Sequence, residues 1–272
     1  MSRLKQRFAD LRSDGRTALV PFITAGDPDP SVTVPLMHAL VAAGADVIEL
    51  GVPFSDPMAE GPAIQHACER ALVHHVSLHD VIDMVRTFRE QDANTPVVLM
   101  GYLNPIEVTG YEQFASAAAA AGVDGVITVD MPPEEAEDYV AAFRQHELDP
   151  IFLLAPTSTE ERVRAVTDVA GGFIYYVSLR GVTGASNIDT NEVKARLDVI
   201  KRHTQLPIGV GFGIKSPEIA AQVARIADAV VVGSALVSRI GELADRPEAI
   251  LKEVPAFLAT LREAIDTAEA AA

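Results

Sequence analysis

The stretch ALVPFITAGDPDPSVTVPLMHALVAAGADVIEL, residues 18–50, decides the fold. It opens with a short apolar run, ALVPFIT at 18–24, and passes a loop in which Asp29-Pro30-Ser31 suits a helix start. Side-chain oxygens at such a start occupy free helix amides, and proline in the first turn sacrifices no hydrogen bond. A helix-forming segment at 31–43 follows, and a second apolar run, ADVIEL at 45–50, closes the unit. The runs show little alternation between polar and apolar residues, as expected of parallel strands covered by helices on their outer face. The unit reads as strand, crossover helix, strand.

The same rhythm continues through PVVLMGY at 96–102, DGVITV at 124–129, PIFLLA at 150–155, GFIYYVS at 172–178, LPIGVG at 206–211 and DAVVVG at 228–233. Helix candidates lie between the strands, at 61–73, 78–90, 109–121, 133–146, 159–170, 190–203 and 216–226, with a terminal pair within 234–269. Upstream, Leu4, Phe8 and Leu11 stand near helical spacing ahead of Asp14-Gly15, which predicts an opening helix. Eight strand candidates in 272 residues match a closed (β/α)8 TIM barrel, typically about 250 residues long. The expected architecture is α/β: a single barrel domain over 1–272 with an extra N-terminal helix and additional short helices. An open doubly wound sheet is the rival, but it usually carries a Gly-rich turn after the first strand. Ala25-Gly26-Asp27-Pro28 does not give GxGxxG.

Composition narrows the partners. Apolar residues make up 49% of the chain, enough to fill a large core, and the net charge is −16. Such a chain has no surplus positive charge for a nucleic-acid backbone or an anionic bilayer. A local anion site built from backbone amides stays open to it. The one cysteine, Cys68, permits neither an intrachain disulfide nor a Cys-based metal cluster. The N-terminal MSRLKQRFADLRSDGR lacks the apolar core of a secretory signal, and no apolar stretch is long enough to span a bilayer. These features predict a cytoplasmic enzyme. His66, His74, His75 and His79 form no HExxH pattern, so solvated roles are expected of them and no metal.

Polar residues at the C-terminal ends of barrel strands gather in a shared mouth. Glu49 stands at such an end beside the apolar Val47, Ile48 and Leu50, so burial would raise its pKa and suit it to proton transfer. The alternative is a carboxylate paired with a buried cation or exposed at the strand end. The loop GVPFSDPMAEGP at 51–62 carries Asp56 and Glu60, and Pro53, Pro57 and Pro62 restrain it. It serves either to return a carboxylate to the mouth or as a rigid connection. LRGVTGAS at 179–186, GFGI at 211–214 and VVGS at 231–234 follow the last three strands. Glycine amides at that side of a barrel commonly hold phosphate, which predicts a phosphorylated substrate. Phe22, Met100, Tyr102, Ile127, Leu153, Tyr175 and Phe212 lie in or just beyond different strands. Several of them would wall a flat aromatic group, although any one alone serves equally as core.

Seven segments, IELGVPFSDPMAEGPAIQ at 48–65, VLMGYLNPI at 98–106, VDMPPEE at 129–135, FLLAPTST at 152–159, GFIYYVSLRGVTGA at 172–185, GVGFGI at 209–214 and VVGSALV at 231–237, carry a more specific likeness. In that order, across nearly the whole chain, they resemble the alpha chain family of tryptophan synthase. The resemblance implies retro-aldol cleavage of indole-3-glycerol phosphate to indole and glyceraldehyde 3-phosphate. It assigns Glu49 as principal general acid and base, and Glu60 as the second acidic group, near the indole N–H, where the family commonly carries aspartate. Tyr175 would position the substrate and Thr183 would belong to a closing loop. Phe22, Met100, Tyr102, Ile127, Leu153 and Phe212 would face the indole, and phosphate would sit on Gly184, Gly213, Gly233 and Ser234. Pro53, Asp56, Asn104 and Pro105 would face a beta chain in an alpha2beta2 complex. Pyridoxal phosphate is expected in that beta partner and no cofactor in this chain. A different phosphate-binding barrel lyase or isomerase, or a weakly catalytic subunit that stimulates its partner, are the alternatives.

Overall fold

The computed structural model describes residues 2–178, 190–211 and 213–270. Its parallel strands are β1 (Ala18–Thr24), β2 (Ile48–Gly51), β3 (Val97–Gly101), β4 (Gly125–Thr128), β5 (Asp149–Leu154), β6 (Ile174–Val177), β7 (Ile208–Gly211) and β8 (Ala229–Val232). They pair in sequence order, and β8 returns to β1 to close the barrel. The helices are α1 (Arg3–Ser13), α2 (Pro30–Ala42), α3 (Pro62–Val73), α4 (Leu78–Arg89), α5 (Leu103–Thr109), α6 (Tyr111–Ala121), α7 (Glu137–Gln145), α8 (Glu160–Val169), α9 (Thr190–Lys201), α10 (Pro217–Ala224), α11 (Ser234–Glu242) and α12 (Pro247–Ala270). The α/β barrel expected from the strand rhythm is the fold observed, including the extra N-terminal helix and the short additional ones.

Strand residues divide into two apolar populations because successive side chains point to opposite faces. Leu19, Ile23, Ile48, Leu50, Leu99 and Val126 pack outward against the helical layer. Ala18, Val20, Phe22, Val47, Val98, Met100, Ile127, Ile151, Phe173, Tyr175, Ala229 and Val231 fill the barrel interior. Leu4, Phe8 and Leu11 of α1 join that interior cluster, and the Phe8 ring lies 5.8 Å from that of Phe173. The opening helix therefore plugs the end of the barrel from which the strands start.

That end is tied by a repeated device. Asp46, Asp124 and Asp228 each precede a strand, and their carboxylates accept from the backbone N–H of Leu19, Val97 and Ile208 on neighbouring strands at 2.8–2.9 Å. Asp124 also binds Arg89 at 2.7 Å and Arg3 at 2.9 Å, and Asp46 binds Arg262 at 3.2 Å. The paired arginines make this edge expensive to disrupt, since removing one partner strands a buried charge.

One helix boundary departs from the sequence expectation. The segment at 109–121 was expected as a single helix, with Asn104 and Pro105 in the connection before it. The structure instead has two helices, α5 and α6, divided at Gly110, whose φ is +90°. Pro105 lies in the first turn of α5, where its missing N–H costs nothing. The Asp130 carboxylate accepts the free Leu103 N–H at 2.7 Å. The 133–146 candidate likewise resolves into a 3-10 turn at Pro133–Glu135 followed by α7.

Candidate active site

Glu49 enters the site because it occupies an inward position of β2, between Val47 and Gly51. Its lateral neighbours in register are Phe22 of β1 and Val98 of β3. The side chain is 1% exposed, and neither carboxyl oxygen has a hydrogen-bond partner. Loss of water, then the nearby charge of Glu60, raises its pKa to about 8. A carboxyl group with that value holds its proton at neutral pH yet is able to give it up.

Glu60 reaches the same region from the loop after β2. Several contacts fold that loop back onto the barrel mouth. The Ala59 N–H donates to the Tyr102 hydroxyl at 2.9 Å, and the Gln65 amide donates to the Glu60 carbonyl at 2.8 Å. The Phe54 ring stacks on Tyr102 with centroids 5.0 Å apart. Burial raises the Glu60 pKa to about 7, and its Oε2 has no hydrogen-bond partner. Phe22, Met100, Tyr102 and Glu60 line one narrow pocket together with Thr24, Ile64 and Cys68. Three of the residues expected to face an aromatic ring therefore share a pocket with Glu60. Ile127, Leu153 and Tyr175 belong to the barrel interior and are outside that lining.

Tyr175 needs room that only glycine leaves. A Cβ built on Gly211 of β7 would lie 2.6 Å from the Tyr175 Cζ, so the bare backbone of β7 accommodates the phenol ring. Burial, then the charges of Glu49 and Glu60, push the Tyr175 pKa well above its ordinary value. The phenol therefore stays protonated and available as a neutral donor beside the two carboxyls.

On the phosphate side, Gly213 lies just beyond β7 with φ +84°. Gly233 caps α11 without a side-chain hydrogen bond, and Ser234 opens that helix exposed. A helix start of this kind presents free amides and the positive end of a dipole to an anion. Thr183, Gly184 and Phe212 lie outside the described residues. Of the four partner-facing candidates, Asp56 and Asn104 are exposed, Pro105 is half-buried and Pro53 is buried.

Sequence reasoning passed over Thr24, Ile64 and Cys68 on the pocket wall. Thr24 had a signal, since it continues the two-residue step Ala18, Val20, Phe22; Ile64 and Cys68 are one helical turn apart on α3. Among the described residues, no group of three or more His, Cys, Asp or Glu is placed to hold a metal ion, and no helix is long and apolar enough to cross a membrane.

Parallel strands closed into a barrel, with acidic side chains desolvated at the mouth, define a TIM-barrel enzyme equipped for proton transfer. The comparisons with known proteins give the family. The profile of the tryptophan synthase alpha chain family matches residues 8–266. The alpha chain of Thioalkalivibrio sulfidiphilus is 65% identical over 98% of this chain and 100% of its own length. That of Nitrosococcus oceani is 62% identical over 99% of both. The crystal structure of the alpha subunit from Legionella pneumophila superposes with a TM-score of 0.91 at 49% identity, covering 98% of this chain and 99% of that one. The chain belongs to the tryptophan synthase alpha chain family, lyases of tryptophan biosynthesis.

Proposed function

We propose that Glu49 and Glu60 are the acid–base pair with which this chain cleaves indole-3-glycerol phosphate to indole and glyceraldehyde 3-phosphate. The observation that carries this reading is the pair of desolvated carboxyls at one mouth, with pKa values raised to about 8 and about 7. Protonated Glu49 gives its proton to ring carbon C3, and positive character develops towards the ring N–H. Ionised Glu60 accepts that N–H and stabilises the charge in a site where water competes little. Glu49, now a carboxylate, takes the proton of the side-chain hydroxyl attached beside C3. The hydroxyl carbon becomes the aldehyde, the carbon–carbon bond breaks, and its electron pair restores the aromatic ring. Glu49 ends as it began, protonated.

Tyr175 positions the substrate. Phe22, Met100, Tyr102, Ile127, Leu153 and Phe212 enclose the indole, and Gly184, Gly213, Gly233 and Ser234 take the phosphate. Thr183 belongs to the loop that closes over them. The chain works as one barrel domain in the cytoplasm, in an alpha2beta2 complex whose beta chains hold pyridoxal phosphate and consume the indole. Pro53, Asp56, Asn104 and Pro105 mark the surface for that partner. Supporting it, Met58 and Val108, each 81% exposed, add apolar area on the loop after β2 and on α5, which follow adjacent strands.

The test is indole release from indole-3-glycerol phosphate by the purified chain, alone and with a tryptophan synthase beta chain supplied without serine. Release that rises with the partner and disappears in Glu49→Gln supports the reading. Binding of the phosphate ester without cleavage under either condition would move it to a stimulatory subunit.

A further inference from the structure

Thr24 ends β1 facing the barrel interior, is 2% exposed, and its hydroxyl has no hydrogen-bond partner. It lines the same narrow pocket as Glu60, whose Oε2 is also buried and unpartnered. The rest of that wall is largely apolar, with Phe22, Ile64 and Met100; the Tyr102 hydroxyl accepts the Ala59 N–H and keeps its own proton to donate, so Thr24 and Tyr102 are the hydroxyl donors of the wall. An ionised carboxylate is acceptor-only, and in an apolar pocket it requires donors on both oxygens. The ring N–H of the substrate supplies one.

We propose that Thr24 is a positioning residue for Glu60, its hydroxyl donating to one carboxylate oxygen while the substrate N–H occupies the other. The proposal rests on the proposed indole-bearing substrate, and the bond belongs to the ligand-bound site. It explains how a residue one methylene longer than aspartate is held at a fixed angle to a flat ring. The hydrogen bond favours the ionised form of Glu60, opposing the burial that disfavours it. The titratable groups facing Glu60 are Glu49 from β2, Cys68 from α3, Tyr102 from the segment after β3 and Tyr175 from β6.

Two variants test it: Thr24→Val, which keeps shape and removes the hydroxyl, and Thr24→Ser, which restores it. In Thr24→Val, kcat should fall about tenfold or more and KM should rise about threefold, the same loss that the indole probe below should show. The acid limb of kcat, which reports the bound enzyme, should move up by about one pH unit. The acid limb of kcat/KM, which reports the free enzyme, should stay. Thr24→Ser should remain within about threefold of the native chain. Binding supplies a second readout, with an indole carrying an uncleavable three-carbon phosphate tail and its benzothiophene counterpart, which lacks the N–H. Thr24→Val should weaken the first and leave the second unchanged. Equal losses for both probes, identical behaviour of the two variants, or a shift of both pH profiles would overturn the proposal. Failure of the native chain to bind either probe would instead refute the substrate assignment, and the role of Thr24 would fall with it.

Discussion

Replacing Glu49 by glutamine should stabilise the fold by an amount that grows with pH. The carboxyl is 1% exposed, has no hydrogen-bond partner on either oxygen, and its pKa is raised from 4.5 to about 8. Below pH 4.5 it is protonated whether the chain is folded or not, so it contributes no pH dependence there. Between 4.5 and about 8 the folded chain keeps a proton that the unfolded chain has released, and stability falls as pH rises. Each unit of separation is worth about 1.4 kcal/mol, so the carboxyl costs about 2 kcal/mol at pH 6 and about 5 kcal/mol above pH 8. Glutamine carries no charge to desolvate, although its unpartnered amide adds a cost independent of pH. The slope is therefore the diagnostic quantity. Urea unfolding of both proteins from pH 5 to pH 9 should show the stability difference changing by about 4 kcal/mol in favour of Glu49→Gln. A change below about 1 kcal/mol over that span would refute the burial argument, and with it the reason for assigning Glu49 as the acid.

Three further outcomes follow from the geometry. Indole release should be bell-shaped in pH, rising as Glu60 ionises near 7 and falling as Glu49 loses its proton near 8; a profile flat from pH 6 to 9 would exclude the pair. Gly211→Ala should cost about 1–3 kcal/mol in thermal unfolding and lower indole release, because the new methyl overlaps the Tyr175 ring. Unchanged kinetics in that variant would show that the position of Tyr175 is not critical. Asp124→Ala should cost about 3–5 kcal/mol in urea unfolding by stranding Arg89, whose side chain is 10% exposed. Its indole release per folded molecule should stay unchanged, since Asp124 precedes β4 at the end opposite the mouth.

The barrel was legible because its signals are local: short apolar strand runs, helix starts with their caps, and a count of eight that fits the chain length. Phe22, Glu49, Met100, Ile127 and Tyr175 were legible as strand residues, but burial of both strand faces hides which face is inward, and the family resemblance singled them out. What escaped depends on contacts distant in sequence. That Asn104 and Pro105 start a helix turns on Asp130 accepting the Leu103 N–H, 27 residues away. The return of Glu60 to the mouth, left open by the residues alone and implied by the family resemblance, turns on Ala59 reaching Tyr102, 43 residues away.

Thr24 and the aspartates at the strand starts mark the boundary between those cases. The recurring Ala45-Asp46, Val123-Asp124 and Ala227-Asp228 stand before β2, β4 and β8, a repeat that is plain in the sequence. Only the register of the closed sheet shows that each carboxylate spans to the neighbouring strand's first amides. Thr24 is equally plain as the next inward step of β1, yet its meaning comes from an unspent hydroxyl and an unspent carboxylate oxygen lining one pocket. The two groups of polar residues thus divide the barrel by chemistry. At the end where the strands start, Asp46, Asp124 and Asp228 each have a backbone donor, and Asp46 and Asp124 have arginine partners as well, which stabilises the fold. At the mouth, Glu49, Glu60 and Thr24 retain unsatisfied hydrogen-bonding capacity, which burial makes costly. Satisfying that capacity with a substrate relieves part of the cost, and the charge that develops during bond cleavage is where the relief is greatest.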